Sequence, residues 1–155
     1  MKSDFLVSTH TRNTMAKLGY MGLVPFLFGL LLSLTGSRFI GHSGEEFFIT
    51  YSVVILSFLS GILWGNSIEN FESRLSNKSL IFSNLVVLSA WLSVLLGEQN
   101  ESVSLLILLI GYITVWRAEK SMRLEHQSTG PEGYFDMRTR LTSSVVLMHG
   151  IVMLT

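Results

Sequence analysis

Four histidines, His10, His42, His126 and His149, are the side chains here whose ordinary titration lies near neutrality. They are scattered along the chain, not grouped at metal-ligand spacing, so no metal site is expected from them. The absence of Cys excludes disulfides, thiol redox chemistry and Cys-based zinc sites. The sequence contains no Gly-x-Ser-x-Gly elbow, His-Glu-x-x-His pair, phosphate loop or dinucleotide fingerprint. No catalytic residue and no cofactor is therefore assigned. His149 stands apart, because it is the one standard-titrating side chain within an uncharged apolar run. An ionisable group at membrane depth is a functional candidate by default. The plainer alternative is a neutral imidazole hydrogen-bonded between helices. No embedded Asp, Glu, Lys or Arg accompanies it, which weighs against a proton-coupled transporter.

Other polar side chains join His149 as candidate ligand contacts: Trp64, Asn66 and Asn84 within apolar runs, and Arg138 at the edge of one. A second set reads as helix-packing positions. Ser57, Gly61 and Gly65 recur every four residues, and small residues at that interval let another backbone approach closely. Gly22, Gly29 and Gly36 recur every seven. Intramolecular packing is the expectation for both stripes, ahead of a homodimer face or ligand groove. Pro25 lacks a backbone donor and frees the carbonyl of Met21, which predicts a kink.

The elements that carry these residues follow from where charge is missing. The chain has 155 residues, is 48% hydrophobic and only 14% charged, against a usual charged share of about 25%. No charge falls between Lys17 and Arg38, Glu46 and Glu69, Lys78 and Glu98, Glu101 and Arg117, or after Arg140. A soluble amphipathic helix shows charge every few residues on its wet face. These runs have no wet face, and the chain is too short to bury them all in one core. They read as membrane helices. The formal net charge of zero argues against a nucleic-acid partner.

Three runs, Leu18–Ser37, Phe47–Ile68 and Ser79–Gly97, have roughly the 20 residues needed to cross a bilayer core of about 30 Å. Two more, Ser102–Trp116 and Leu141–Thr155, cover only about 22 Å each at 1.5 Å per residue. Residues 1–17 form a cytoplasmic N-terminal segment, basic like the start of a signal. The run after it is longer than a signal core and lacks a convincing cleavage site, so it is expected to stay as the first span. The single transmembrane domain, 18–155, then has spans at about 18–37, 47–68, 79–97, 102–118 and 138–155, with a cytoplasmic loop at about 119–137.

Cation placement orients this all-α, polytopic bundle. With five spans, the N-terminus inside and the C-terminus outside, ten cations lie inside and only Arg38 outside. If the fourth run failed to cross, the count would become five against six. The fifth span is not tested by the count and rests on length. The inner loop is expected to extend span four as a helix from Arg117 to Glu125 and to break at Ser128-Thr129-Gly130-Pro131. In this orientation Pro25, Gly61, Trp64, Asn66, Asn84, Tyr112, Trp116, Thr142, Ser143 and Ser144 fall toward the inner half. That distribution predicts a polar notch opening inward, roofed by spans two, three and five and rimmed by Arg138 and Arg140. An inner aromatic belt is the competing explanation.

Gly19-Tyr20-Met21-Gly22-Leu23-Val24-Pro25-Phe26, the stretch from Tyr51 through Ile55 to Gly65, Ala90-Trp91-Leu92 and Arg138-Thr139-Arg140-Leu141-Thr142 occur in this order. Together they resemble the domain-of-unknown-function 3429 family, the transmembrane protein 69-like small membrane proteins. The chain departs from that pattern at Ser60, Leu63, Val86 and Trp116, where Gly, His, Pro and an acidic residue are usual. The resemblance implies a five-helix membrane domain of the kind found in bacteria and mitochondria, and it brings no activity. The expected location is a bacterial inner (cytoplasmic) membrane, or a mitochondrial inner membrane in a eukaryote. The leading expectation is a non-enzymatic structural or assembly factor of a membrane complex, with lipids and a membrane-protein partner or second copy as neighbours. The alternative is a small-molecule or lipid binder or carrier using the inner notch.

Overall fold

The computed structural model describes residues 2–69, 74–97, 99–126 and 133–155. Among these, six helices form: α1 (Lys2–Met21), α2 (Val24–Thr35), α3 (Gly44–Glu69), α4 (Arg74–Gly97), α5 (Glu101–His126) and α6 (Tyr134–Val152). Helices are what hydrocarbon-compatible runs must form, since each satisfies its own backbone polar groups. Four stretches are long and apolar enough to cross a membrane: Arg12–Thr35, Gly44–Glu69, Ser76–Gly97 and Glu101–Leu124. The first joins α1 to α2. Asp136, Arg138 and Arg140 occupy the first two turns of the 19-residue α6. Helix α5 continues to His126, while the expected break at Ser128–Pro131 lies outside the described residues.

The first span is interrupted. Pro25 sits at the start of α2, where its missing N–H does no harm. Gly22 and Leu23 form a turn, with the Leu23 N–H donating to the Tyr20 carbonyl at 3.0 Å. The expectation was a kink freeing Met21. The chain instead breaks just before Pro25, and the Gly22 carbonyl accepts the Tyr51 hydroxyl at 3.0 Å. At its other end α2 stops on Gly36 in the left-handed region (φ 61°). The Ser37 N–H then closes back on the Leu32 carbonyl at 3.0 Å, a Schellman ending.

Serine side chains tie consecutive helices. Ser76 Oγ donates to the Ser67 carbonyl across α3 and α4, and Ser104 Oγ donates to the Ser93 carbonyl across α4 and α5. Glycine lets α2 and α3 touch, since a Cβ on Gly44 would lie 2.1 Å from the Ser33 nitrogen. At this end Ser33 Oγ donates to Glu45 Oε1 and pairs with Thr155 Oγ1, both at 2.6 Å, so α2, α3 and the last residue of the chain converge. The opposite end carries most of the cations, with Arg138 of α6 against Glu119 of α5 at 3.0 Å. Helix α3 packs against α2, α4 and α5. Phe26, Phe48, Leu56, Leu105, Leu108, Tyr112 and Val145 form the core around it. Large apolar side chains such as Leu31, Phe58, Ile81, Leu88, Trp91 and Leu147 are exposed on the outer surface. Apolar groups on both the inside and the outside suit a bundle solvated by lipid.

Candidate functional site

Helices α3, α5 and α6 meet at a fully buried polar knot. The Tyr112 hydroxyl donates to the Ser52 carbonyl at 2.9 Å, and Ser52 Oγ lies 2.9 Å from His149 Nε2. His149 Nδ1 is 2.8 Å from the Val145 carbonyl, one turn back on α6. A carbonyl only accepts, so Nδ1 carries the proton, and in the neutral ring Nε2 accepts from Ser52. The rings of Phe48 and Tyr112 close over the imidazole at 4.8 and 5.4 Å between centroids. A serine hydroxyl on an imidazole is the pairing of a nucleophile and its base. Here both residues are 0% exposed. They also lie inside helices, where the neighbouring backbone N–H groups are engaged and no oxyanion hole is on offer. The knot is an interhelical lock.

Beside the knot lies a cavity of about 830 Å³, within the range of about 300–1,000 Å³ usual for small-molecule sites. Its walls come from α1 and the start of α2 (Met15, Gly19, Phe26), from α3 (Ile55, Leu59, Ile62), from Tyr112 of α5 and from α6 (Met137, Leu141, Val145). Leu18 and Phe58 line it and are also 63% and 65% exposed. The cavity therefore opens sideways between α1 and α3, in the apolar part of the bundle. At its basic end Tyr134 and Arg138 complete the wall. Thr142 also lines it, and its Oγ1 is buried with no hydrogen-bond partner among the described residues.

The α1–α6 wall is tight because Gly19 has no side chain. A Cβ there would stand 3.0 Å from Leu141 Cδ1 and 3.4 Å from Met137 Sδ. Glu119 and Arg138 form a buried ion pair, with side chains only 6% and 9% exposed. Around it α5 and α6 interlock through rings. Trp116 stacks on Phe135 and donates to Thr139 Oγ1 at 3.1 Å, while the Arg123 guanidinium covers Phe135 at 5.5 Å.

Of the five candidate ligand contacts, Arg138 lines the cavity and His149 is sealed in the knot beside it. Asn84 is exposed on α4 and donates to its own Leu80 carbonyl at 2.8 Å. Trp64 is 47% exposed and Asn66 half-buried, and neither lines the cavity. This side-opening cavity thus differs from the inward polar notch in its walls, which among the described residues include none from span three, and in its mostly apolar lining. Among the packing residues, Gly29 serves a close approach, since a Cβ on it would lie 3.2 Å from Phe48, while Gly22 lines the cavity. Gly36 instead provides the left-handed helix ending. Pro25 and Ser57 are half-buried. At Gly61 and Gly65 an added Cβ would meet nothing within 4 Å among the described residues. Sequence reading gives no site role to Glu119, Ser52 or Tyr51, although Tyr51 opens one of the motif stretches. Glu119 sits among surface-like charges, and its partner is 19 residues away, beyond any helical spacing.

These features define a polytopic α-helical integral membrane protein with a cavity inside the bundle. The chain belongs to the family described as "Protein of unknown function (DUF3429)", which matches residues 11–154. It is 32% identical over 94 residues to "Transmembrane protein 69" of Xenopus tropicalis, a match covering 59% of this chain and 36% of that protein. The chain thus spans about a third of the length of the curated relative it matches. No solved structure matches it.

Proposed function

We propose that this chain is a non-enzymatic membrane protein that takes up a lipid or lipid-like small molecule in the cavity between α1, α3 and α6. The observation that carries the reading is the cavity itself, apolar throughout its middle and open sideways at Leu18 and Phe58. A native hydrocarbon-lined space of this size, reachable from the bilayer, is more readily filled by an apolar chain than left empty. In this reading all five apolar segments cross, with the N-terminus and the cation-rich end inside, and the basic loop segments sit at anionic headgroups. The membrane in this reading is an inner one, bacterial or, as the likeness to transmembrane protein 69 favours, mitochondrial. Diazirine-bearing acyl lipids provide the test. Photolysis should label Met15, Ile62 and Met137, whereas labelling confined to outward residues such as Leu88 and Trp91 would remove the reading.

A second reading, a structural or assembly factor, is favoured by Gly61 and Gly65, where an added Cβ would meet nothing within 4 Å among the described residues. A partner helix or second copy seated on that face would use the close approach the glycines permit. Native pull-down in mild detergent tests it, and a monomer without stable partners counts against it.

A further inference from the structure

We infer that the cavity selects uncharged amphiphiles over anionic ones, an inference that rests on the binder reading above. The one formally charged side chain among the described lining residues is Arg138. Its Nε already donates to Glu119 Oε2 at 3.0 Å, and both side chains are buried. The pair is neutral as a unit. An anionic headgroup entering here gains no free cation, and it meets the Glu119 carboxylate beside the guanidinium. Taking Arg138 for itself would leave Glu119 buried and uncompensated, which is unfavourable in a low-dielectric site. The neighbouring cation Arg123 is outside the lining, its guanidinium stacked over Tyr134 and Phe135 at 5.8 and 5.5 Å.

Among the hydroxyls that line the cavity, that of Thr142 is buried without a partner among the described residues. A χ1 rotation to another staggered position would turn that oxygen toward a ligand. A buried hydroxyl without a partner gains a hydrogen bond when a ligand brings an acceptor. The ligand class that fits is a neutral molecule with a long apolar chain and a carbonyl or ester oxygen near one end. Phosphate- or carboxylate-headed lipids are disfavoured.

Two fluorescent probes with the same acyl chain test this on the full-length protein in detergent: a labelled monoacylglycerol and the equally labelled lysophosphatidic acid. The monoacylglycerol should bind at least about tenfold more tightly. Glu119→Gln, which unpairs Arg138, should narrow or reverse the preference. Should that variant fail to fold, the charge-free double variant Glu119→Leu with Arg138→Met should keep the preference. Thr142→Val should weaken the monoacylglycerol several-fold and lysophosphatidic acid in proportion, since both carry the same ester oxygen, leaving the preference between them intact. Equal or tighter binding of lysophosphatidic acid by the unaltered protein overturns the inference alone. Binding of neither probe overturns the cavity reading and the inference with it.

Discussion

Ser52 and His149, 97 residues apart in sequence, face each other at 2.9 Å in the centre of the bundle and fasten α3 to α6. Every hydrogen-bonding atom of the imidazole is engaged there, since Nδ1 turns back to Val145. The pair is therefore expected to contribute stability and not ligand binding. Ser52→Ala should lower stability by about 0.6–1.7 kcal/mol, the range for hydrogen bonds between membrane helices. His149→Ala adds a cavity and should cost about 2–5 kcal/mol. Thermal unfolding in detergent, read beside lipid binding, checks this. A His149→Ala protein of unchanged stability that loses binding would make His149 a ligand contact.

The Glu119–Arg138 pair should behave as a unit. Removing either partner leaves a buried charge alone, so Arg138→Met or Glu119→Leu should each destabilise by about 3–5 kcal/mol. The double substitution should recover most of that loss. A thermodynamic cycle over the four proteins measures it, and additive single losses would contradict it.

Much of this fold was legible in the sequence. Charge-free runs mark four of the spans, because hydrocarbon excludes unpaired charge. Glycine and proline mark the break before α2 to within a few residues. What could not be read is how the faces pair. Gly61 and Gly65 carry a packing pattern, yet a Cβ on either would meet nothing within 4 Å among the described residues, whereas at Gly44 and Gly111, in no stripe, a neighbouring atom stands 2.1 and 2.6 Å from where a Cβ would be. Asn84 is a polar residue in an apolar run, but its amide donates within its own helix to the Leu80 carbonyl. Glu119 gave no signal, because a buried ion pair joins positions that only the tertiary fold brings together.

The glycines supply a matched comparison. Gly44→Ala would drive a Cβ into the Ser33 backbone and should prevent α2 and α3 from closing. Gly61→Ala and Gly65→Ala should leave monomer stability within about 0.5 kcal/mol, as for surface substitutions elsewhere. Unfolding curves settle the first claim. If the two alanine variants also shift a native-gel band or shed a partner, the assembly reading gains its contact face.

With no Cys in the chain, single introduced cysteines report topology without background. At Ser37, Asn100 and Thr155 they should react with impermeant reagent from the outer side, and at Lys78 and Lys120 from the inner side. Labelling of Thr155 and Lys120 from the same side would mean that α6 does not cross.

The central claim is that the cavity holds a lipid-like molecule, and native mass spectrometry of the protein released from detergent tests it most directly. Ile62→Trp places an indole in the cavity from a half-buried lining position. The unaltered protein should retain about one bound amphiphile per chain, and the folded Ile62→Trp variant should retain little or none. Equal retention by both, or an empty unaltered protein under conditions that preserve lipids on other membrane proteins, would contradict the account.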